Sequence, residues 1–180
     1  IRLVENIKDF LRLGGRRRNP DMTEFNIVDS FDEAYRIFRE DYREFLNGND
    51  IAKTFIGGNP TQMKVLADET MTIQILWNLL GNDLKYAIPN GGVEVRFVRT
   101  EKSVKVEFAD EGQGMTARQM RKAFDRYYRA KTALASGKGG FGIGLCTARE
   151  FARAMGGDLT VHANSPKGCV FTLTLPSRQS

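Results

Sequence analysis

The stretch from Trp77 to Tyr86, with the sequence WNLLGNDLKY, belongs to a helical pattern with an unusually polar face. Spacings of four and three or four residues place Asn78, Asn82 and Lys85 or Tyr86 on that face, whereas leucines cover another. Carboxamide oxygens one turn apart can bind a hard cation such as magnesium, and a lysine on the same face adds a positive charge for a phosphate. Taken alone, the pattern fits a solvent-exposed helix face equally well.

A second motif follows an alternating run of apolar residues and begins at Asp110. The run VKVEFAD, residues 104–110, has the period of a β-strand, and Gly112, Gly114 and Met115 come soon after it. A carboxylate only accepts hydrogen bonds, so its complement is an amino group such as the exocyclic amine of adenine, and glycines let the backbone approach a ligand. Taken alone, this Asp-x-Gly-x-Gly pattern also fits a tight turn after any strand.

The third motif is a glycine-rich stretch that runs into an apolar helix. Unpaired N–H groups and the positive end of the helix dipole suit a phosphate at such a helix start. The stretch has neither the GxxxxGK[ST] order of a Walker loop nor a GxGxxG on the first strand of a βαβ unit. A flexible surface loop is the alternative interpretation. The candidate phosphate-binding residues here are Lys138, Gly140, Phe141, Gly142, Ile143, Gly144 and Leu145.

The remaining hydrophobic periodicity predicts both helices and strands. An amino-terminal amphipathic helix is expected to end at Gly14 and Gly15, with a linker up to Pro20. Ser30 and Glu33 form a capping box that predicts the start of a helix ending near residue 47. Further helices are predicted over residues 69–87, 116–128 and 142–155, and strands over residues 23–28, 51–56, 63–67, 93–98, 104–110, 158–163 and 169–175.

The order of these elements sets the expected architecture. Strands 51–56 and 63–67 are joined by a glycine- and proline-containing segment in a hairpin-like connection, and strands 93–98 and 104–110 form an antiparallel hairpin. Regular βαβ alternation is missing, which favours an α+β two-layer sandwich over a doubly wound sheet. We expect a mixed, mostly antiparallel sheet packed on about three helices, with a flexible loop over residues 130–140.

The motifs occur in an order that resembles one family of nucleotide-binding proteins. The asparagine helix, the Asp110 turn, FDRYYRA at residues 124–130 and GFGIGL at residues 140–145 are similar to the N box, the two glycine boxes and the F box of that family. It joins histidine kinases, DNA gyrase, mismatch-repair ATPases and the heat-shock chaperone ATPase. The resemblance covers residues 63–176. It implies the Bergerat fold, a two-layer α/β sandwich with a flexible ATP lid, and binding of ATP with Mg²⁺.

The residue at position 78 points to one branch of this family. In the gyrase and mismatch-repair branches the matching position is a glutamate that activates water, whereas Asn78 cannot act as a general base at neutral pH. The resemblance therefore implies a protein histidine kinase, a transferase of bacterial two-component phosphorelays. Its γ-phosphoryl group would pass to a histidine outside this chain. The closing run of residues 156–176 also resembles the final hairpin of sensor kinases.

The resemblance implies roles for the polar residues of the asparagine helix. Asn82 matches the magnesium ligand, and Asn78 matches a polar contact with the phosphates or the metal shell. Lys85 matches a lysine that faces the phosphates, and Tyr86 an aromatic wall beside the nucleotide. Asp83 departs from the family pattern, in which a small residue is usual, and an acid near the phosphates would repel them. Asp83 faces about one hundred degrees away from Asn82 on the helix, so we expect it to be tolerated.

Other site residues are implied by the remaining boxes. Asp110 matches the carboxylate that recognises adenine, and Arg129 matches an F-box arginine near the phosphates. Phe141 is a bulky departure within its glycine box, and Met115 and Ile143 are milder ones. The residues that shape the cleft, the lid and the phosphate loop are Gly112, Gly114, Gly140, Gly142 and Gly144.

The same resemblance gives the expected domains and partners. Residues 1–20 are similar to the tail of a helical dimerisation and phosphoacceptor domain, which leaves residues 21–180 as the catalytic domain. The expected partners are that phosphoacceptor domain, a response regulator and a second copy in a homodimeric parent. Two alternatives stay open: an anti-sigma-type serine kinase of the same fold, and a degenerate nucleotide-binding scaffold, which Asp83 would favour.

Composition excludes several other functions. The net charge is +5, but the densest basic run, Arg16 to Arg18, has no interleaved aromatic residues, so we expect no nucleic-acid binding. Cys146 and Cys169 lie in apolar contexts without metal-like spacing and are expected to be buried free thiols. His162 lies on a predicted strand, where a structural role is favoured over phosphate acceptance.

No apolar run approaches the roughly 20 residues of a membrane span, so a cytoplasmic domain is expected. A membrane-anchored parent stays compatible with a chain that begins at Ile1.

Overall fold

The computed structural model describes residues 19–42, 51–86, 92–129 and 142–178, without the side chains of residues 41 and 83–86. Its main feature is a five-stranded sheet with the strand order β2-β4-β5-β7-β6, and a separate two-stranded sheet pairs β1 with β3. The strands are β1 (Thr23–Asn26), β2 (Ala52–Ile56), β3 (Lys64–Ala67), β4 (Val93–Arg99), β5 (Ser103–Asp110), β6 (Asp158–Ala163) and β7 (Cys169–Pro176). The helices are α1 (Ile27–Asp41), α2 (Glu69–Tyr86), α3 (Ala117–Lys122) and α4 (Gly144–Ala154).

The large sheet is mixed and mostly antiparallel, as predicted. β2 pairs with β4 in parallel, and the other neighbours are antiparallel. Successive side chains of a strand point to opposite faces, so Val95 and Phe97 of β4 face the core, whereas Glu94 and Arg96 face outward. The predicted hairpin of β4 and β5 is confirmed, and its register pairs Val93 with Asp110.

The helices cover one face of this sheet. The central helix α2 packs against α1 on one side and α4 on the other. Its residues Ile75, Leu76, Leu79 and Leu80 are almost completely buried in the core that the helices share with the sheet. The predicted α+β two-layer sandwich on about three helices is therefore confirmed.

The start of α1 differs from the prediction. The N-cap is Asn26, whose side chain accepts a hydrogen bond from the N–H of Val28 at 3.0 Å, so the strand ends and the helix begins earlier than the Ser30 capping box indicated. The Ser30 hydroxyl lies inside the helix and donates to Glu69 at 2.8 Å. Asparagine is as good an N-cap as serine, and the strand pairing with β3 fixes where the chain turns.

The predicted hairpin-like connection of β2 and β3 is wrong. β3 pairs with β1, and β2 pairs with β4. A short 3-10 helix, Pro60–Gln62, separates the two strands and redirects the chain. Val65 and Ala67 of β3 are completely buried, so this strand pairs where its apolar side chains reach the core.

The helix predicted over residues 116–128 is shorter than expected. Thr116 caps α3 and forms a capping box with Gln119. The helix ends at Lys122, and turns follow up to Tyr127, whose φ of 63° lies in the left-handed region. The predictions for residues 1–18, 43–50 and 130–141 lie outside the described residues. Within the described residues, no helix is long and apolar enough to cross a membrane.

Candidate functional site

Asp110 lies at the carboxyl end of β5 with its side chain almost completely buried, at 6% exposure. Its Oδ1 accepts a hydrogen bond from the N–H of Gly112 at 2.7 Å, and its carboxylate also accepts one from the N–H of Cys169. Burial raises the pKa of the Asp110 carboxyl, and these two N–H donors partly oppose the shift. The site therefore holds a desolvated acceptor, which gains from any N–H donor that a ligand brings.

The turn between β6 and β7 packs directly on Asp110. Gly168 has a φ of 104°, and a Cβ added there would overlap the carbonyl oxygen of Asp110. Gly114, with a φ of 72°, follows β5 and packs against this turn, where an added Cβ would be 3.3 Å from the carbonyl oxygen of Gly168. Glycine is favoured at both positions because a positive φ disfavours a Cβ, and at Gly168 the space is also filled.

Cys169 also lies against the Asp110 carboxylate, to which its backbone N–H donates. Its side chain is buried, and its thiol sulfur accepts a hydrogen bond from the N–H of Met115. Burial, with the nearby Asp110 charge, raises the pKa of the Cys169 thiol to about 11, so the thiol stays protonated at neutral pH. We call Asp110, Gly112, Asn164, Gly168 and Cys169 the Asp110 cluster.

The second part of the site lies where α2 meets the first residue of α4. The Nδ2 of Asn78 donates to the carbonyl of Gln74 at 3.0 Å, and a Cβ added at Gly144 would lie 2.8 Å from the Oδ1 of Asn78. The asparagine helix and the glycine-rich stretch, 66 positions apart in the sequence (144 minus 78), therefore touch. The hydrogen bond from Nδ2 fixes the orientation of the Asn78 amide, so that its Oδ1 lies beside Gly144. An amide oxygen can only accept, which suits a cation or a water bound to it.

Tyr127 and Gly142 meet beside this junction. The N–H of Tyr127 donates to the carbonyl of Gly142 at 2.8 Å. Gly142 has a φ of 68°, and an added Cβ would lie 2.9 Å from the Tyr127 carbonyl carbon. The backbone at both positions is thus in the left-handed region. This conformation costs energy at Tyr127, which has a Cβ, and carries no such steric cost at the glycine. We call Asn78, Tyr127, Gly142 and Gly144 the helix junction.

The helix that starts at Gly144 offers N–H groups to a ligand. Ile143 is its N-cap and makes no side-chain capping bond, and its carbonyl accepts the N–H of Thr147 at 3.0 Å. Asn82 lies one turn beyond Asn78 on α2 and is partly buried. Arg129 and Leu145 are also partly buried. The backbones of Lys85 and Tyr86 belong to α2, whereas Lys138, Gly140 and Phe141 and the side chains of residues 83–86 lie outside what the structure describes.

Three residues of the Asp110 cluster were missed by sequence reasoning. Asn164, Gly168 and Cys169 were assigned only to the closing hairpin, and Cys169 was assigned no function. A glycine between two strands signals a turn, but nothing in the sequence says which distant residue that turn contacts. The expectation that both cysteines are buried free thiols is confirmed.

A cavity of about 270 Å³ opens on the other face of the sheet and reaches Asn164 of the Asp110 cluster. Its lining includes Glu94, Arg96 and Ala109, which point away from the helices. Arg96 lies 3.2 Å from Glu94 and 3.6 Å from Glu107, so its charge is already compensated. Within the described residues, no group of three or more histidine, cysteine, aspartate or glutamate side chains could hold a metal ion.

Comparisons with known proteins show the family to which the chain belongs. The family model of histidine kinase-, DNA gyrase B- and HSP90-like ATPases matches residues 67–179. The sensor protein CiaH of Streptococcus pneumoniae is 31% identical over 117 residues, which cover 65% of this chain and 26% of that protein. The sensor-like histidine kinase SenX3 of Mycobacterium bovis is 26% identical over 175 residues, which cover 97% of this chain and 41% of that protein.

A solved structure of histidine kinase ThkA in complex with the response regulator protein TrrA has a similar fold. The TM-score is 0.74 at 23% identity, and the match covers 99% of this chain and 48% of that one. The chain therefore spans less than half the length of these relatives. The matched region contains the helix junction and the Asp110 cluster, and the chain belongs to the family of histidine kinase-, DNA gyrase B- and HSP90-like ATPases.

Proposed function

We propose that this chain is the ATP-binding catalytic domain of a two-component sensor histidine kinase. The observation that carries the proposal is Asn78 at the helix junction. Its Nδ2 donates to Gln74 and its oxygen faces Gly144. Because an amide is not a base at neutral pH, the position where a hydrolytic relative has a glutamate cannot activate water. A bound γ-phosphoryl group would then wait for a nucleophile from another domain rather than react with water.

We propose one orientation of ATP across the two parts of the site. The Asp110 carboxylate accepts the exocyclic amine of adenine, and its buried position makes that hydrogen bond strong. The N–H groups at the start of α4 face the phosphates, where the helix dipole favours negative charge. Lys85, Lys138 and Arg129 are proposed to add positive charge there.

Magnesium fits the acceptor oxygens of Asn82 and Asn78, which with the phosphates would hold it. The ion supplies charge neutralisation of the phosphates. Asn82→Ala should weaken binding of ATP with Mg²⁺ and leave binding in excess EDTA unchanged, as measured by calorimetry. Equal losses under both conditions would contradict the metal role of Asn82.

The transferred group goes to a histidine on an upstream helical domain. The unprotonated imidazole nitrogen bonds to the γ-phosphorus, the bond from that phosphorus to the ADP oxygen breaks with its electron pair left on ADP, and the proton on the other imidazole nitrogen passes to water. We further propose that residues 1–20 continue such a helical domain and that the parent protein is a homodimer. A response regulator then accepts the phosphoryl group, and the catalytic domain works in the cytoplasm.

Calorimetry and phosphoryl transfer test the proposal together. We expect the chain to bind ATP, and Asp110→Ala to lower the affinity by roughly ten- to a hundredfold, as expected for a hydrogen bond to a charged group. Lys167→Ala, an exposed residue of the β6–β7 turn, is the control and should bind normally. Unchanged affinity in Asp110→Ala would contradict the adenine-recognising role.

Transfer should require the helical domain in the same chain. A longer chain that includes it should label from radioactive ATP at an acid-labile site, whereas the present chain should not label itself. Acid-stable labelling of the present chain would instead support a serine kinase. Binding without any transfer in the longer chain would support a regulatory scaffold.

A further inference from the structure

The backbone carbonyl of Asp110 has an unusual partner. The pairing of β5 with β7 ends at Ala109 and Val170, one residue before Asp110. Beyond that point the Nδ2 of Asn164 donates to the Asp110 carbonyl oxygen at 2.9 Å. A side chain from the β6–β7 turn, 54 positions further along the sequence, therefore takes the place of the next bond in the strand ladder.

Asn164 is itself fixed in one orientation. Its backbone N–H donates to the carbonyl of Gly168 at 3.0 Å, and its Oδ1 accepts the N–H of Ser165 at 3.0 Å. Because Oδ1 must face an N–H donor, Nδ2 must face the Asp110 carbonyl, so both contacts agree on one orientation of the amide. The β6–β7 turn therefore fixes the orientation of the Asn164 side chain, and through its Nδ2 the turn also fixes the position of the Asp110 carbonyl.

Gly168 brings that turn close enough for the contact. Its α-carbon packs against the Asp110 carbonyl so closely that any side chain would overlap it. The carbonyl is therefore held between Gly168 and Asn164. The Asp110 carboxylate, on the same residue, receives the N–H groups of Gly112 and Cys169. A change in ψ of Asp110 would swing its carbonyl away from Asn164 and would also move the Glu111–Gly112 segment, whose N–H holds the carboxylate.

We propose that Asn164 is a positioning residue for base recognition: it holds the Asp110 carbonyl, which fixes ψ of Asp110 and so keeps the Gly112 N–H in place to orient the carboxylate. A hydrogen bond weakens steeply when its geometry departs from linear, so the aim of the carboxylate decides how well it distinguishes an amine from other groups. In this proposal Asn164 acts on the base only through Asp110. The inference rests on the proposed adenine-recognising role of Asp110 and names what makes that role selective.

The test compares ATP with inosine triphosphate, which carries an oxygen where adenine has its 6-amino group. Asn164→Ala should lower the affinity for ATP by about three- to tenfold, the value of one neutral hydrogen bond, and leave inosine triphosphate within twofold. The ratio of the two affinities should therefore fall. General damage to the fold would weaken both nucleotides equally and leave the ratio unchanged.

A second variant separates the donor from the turn. Asn164→Asp keeps an oxygen that can accept from Ser165 but replaces the donor with an acceptor, so it should lower the affinity ratio at least as much as Asn164→Ala. Any effect of the added charge on the phosphates is common to both nucleotides and cancels in the ratio. Ser165 is an exposed neighbour whose side chain makes no hydrogen bond to the described residues, so Ser165→Ala should leave the ratio unchanged.

The outcomes also distinguish this inference from the proposed function. If Asp110→Asn collapses the ratio and both Asn164 variants retain it, Asn164 has no positioning role and the inference is overturned. If Asp110→Asn itself leaves the ratio unchanged, the adenine-recognising role of Asp110 fails first. A ratio lowered by Asp110→Asn and by both Asn164 variants supports both statements.

Discussion

The Asp110 cluster and the helix junction solve the same problem, holding a polar group in place, in different ways. At the Asp110 cluster, a buried carboxylate is surrounded by main-chain N–H groups and by a turn whose backbone touches its own. At the helix junction, the closest approach to Gly144 is the end of the Asn78 side chain, which one hydrogen bond to Gln74 holds. Main-chain packing gives a rigid position, whereas a side chain can rotate away at modest cost.

The largest effects are expected when a methyl group is added at one glycine of each cluster, Gly168 in the Asp110 cluster and Gly144 in the helix junction. At the Asp110 cluster, Gly168→Ala places a Cβ over the Asp110 carbonyl and forces a left-handed backbone on alanine. We expect it to lower the free energy of unfolding by about 3 kcal/mol, from overpacking and backbone strain together. Binding of ATP should be lost with it. Urea unfolding and calorimetry measure both effects.

Gly156→Ala is the matched control for Gly168→Ala. Gly156 has a φ of 80°, and a Cβ added there meets none of the described residues within 4 Å, so the variant measures backbone strain alone. It should cost about 1 kcal/mol and leave the affinity for ATP unchanged. Equal losses of stability in the two variants would mean that the approach of Gly168 to Asp110 contributes nothing.

A smaller effect is expected at the helix junction. Gly144→Ala places a Cβ 2.8 Å from the Asn78 Oδ1, but that oxygen can move and the backbone of Gly144 is ordinary. Stability should change by less than about 1 kcal/mol, since alanine is also the better helix former. Displacement of Asn78 should weaken binding of ATP with Mg²⁺ by a few-fold, the cost of one disturbed polar contact.

Gly81→Ala supplies the comparison for Gly144→Ala. An added Cβ at Gly81 meets no atom within 4 Å in the part of the chain that the structure describes, so this variant should gain about 0.5–1 kcal/mol from helix propensity without a change in affinity. If Gly144→Ala also leaves the affinity for ATP with Mg²⁺ untouched, the contact between Asn78 and Gly144 has no part in binding.

The smallest expected effect concerns the charge of Asp110. Its pKa is raised in the folded domain, so the folded state favours the protonated form and loses stability as pH rises from the ordinary aspartate range through the raised value. Asp110→Asn cannot ionise. The free energy of unfolding of this variant minus that of the wild type should therefore increase with pH across this window and level off above it.

Urea unfolding of the two proteins at a series of pH values measures this difference. Other groups titrate equally in both proteins and cancel, and the pKa of the neighbouring Cys169 thiol, about 11, lies far above the window. A difference that falls with rising pH would show that the two N–H donors outweigh burial at Asp110.

Local patterns succeeded where neighbours in sequence decide the structure. Strands β4 and β5 follow from strict alternation and a short turn, and they form the predicted hairpin. The start of α1 and the partners of β2 and β3 were not predicted correctly. In both cases the chain had two local options of similar energy, and pairing with a distant strand chose between them.

The sequence by itself determined the candidate site at the level of its motifs. Asn78, Asp110 and the glycines near Gly144 could be named because a polar face, an acid after a strand and glycines before a helix each have a local chemical meaning. Only the tertiary structure decided that Asn164 and Gly168 hold Asp110 and that Gly144 touches Asn78. The physical reason is that these contacts join residues from separate elements, whose approach depends on how the sheet and helices pack around the shared core.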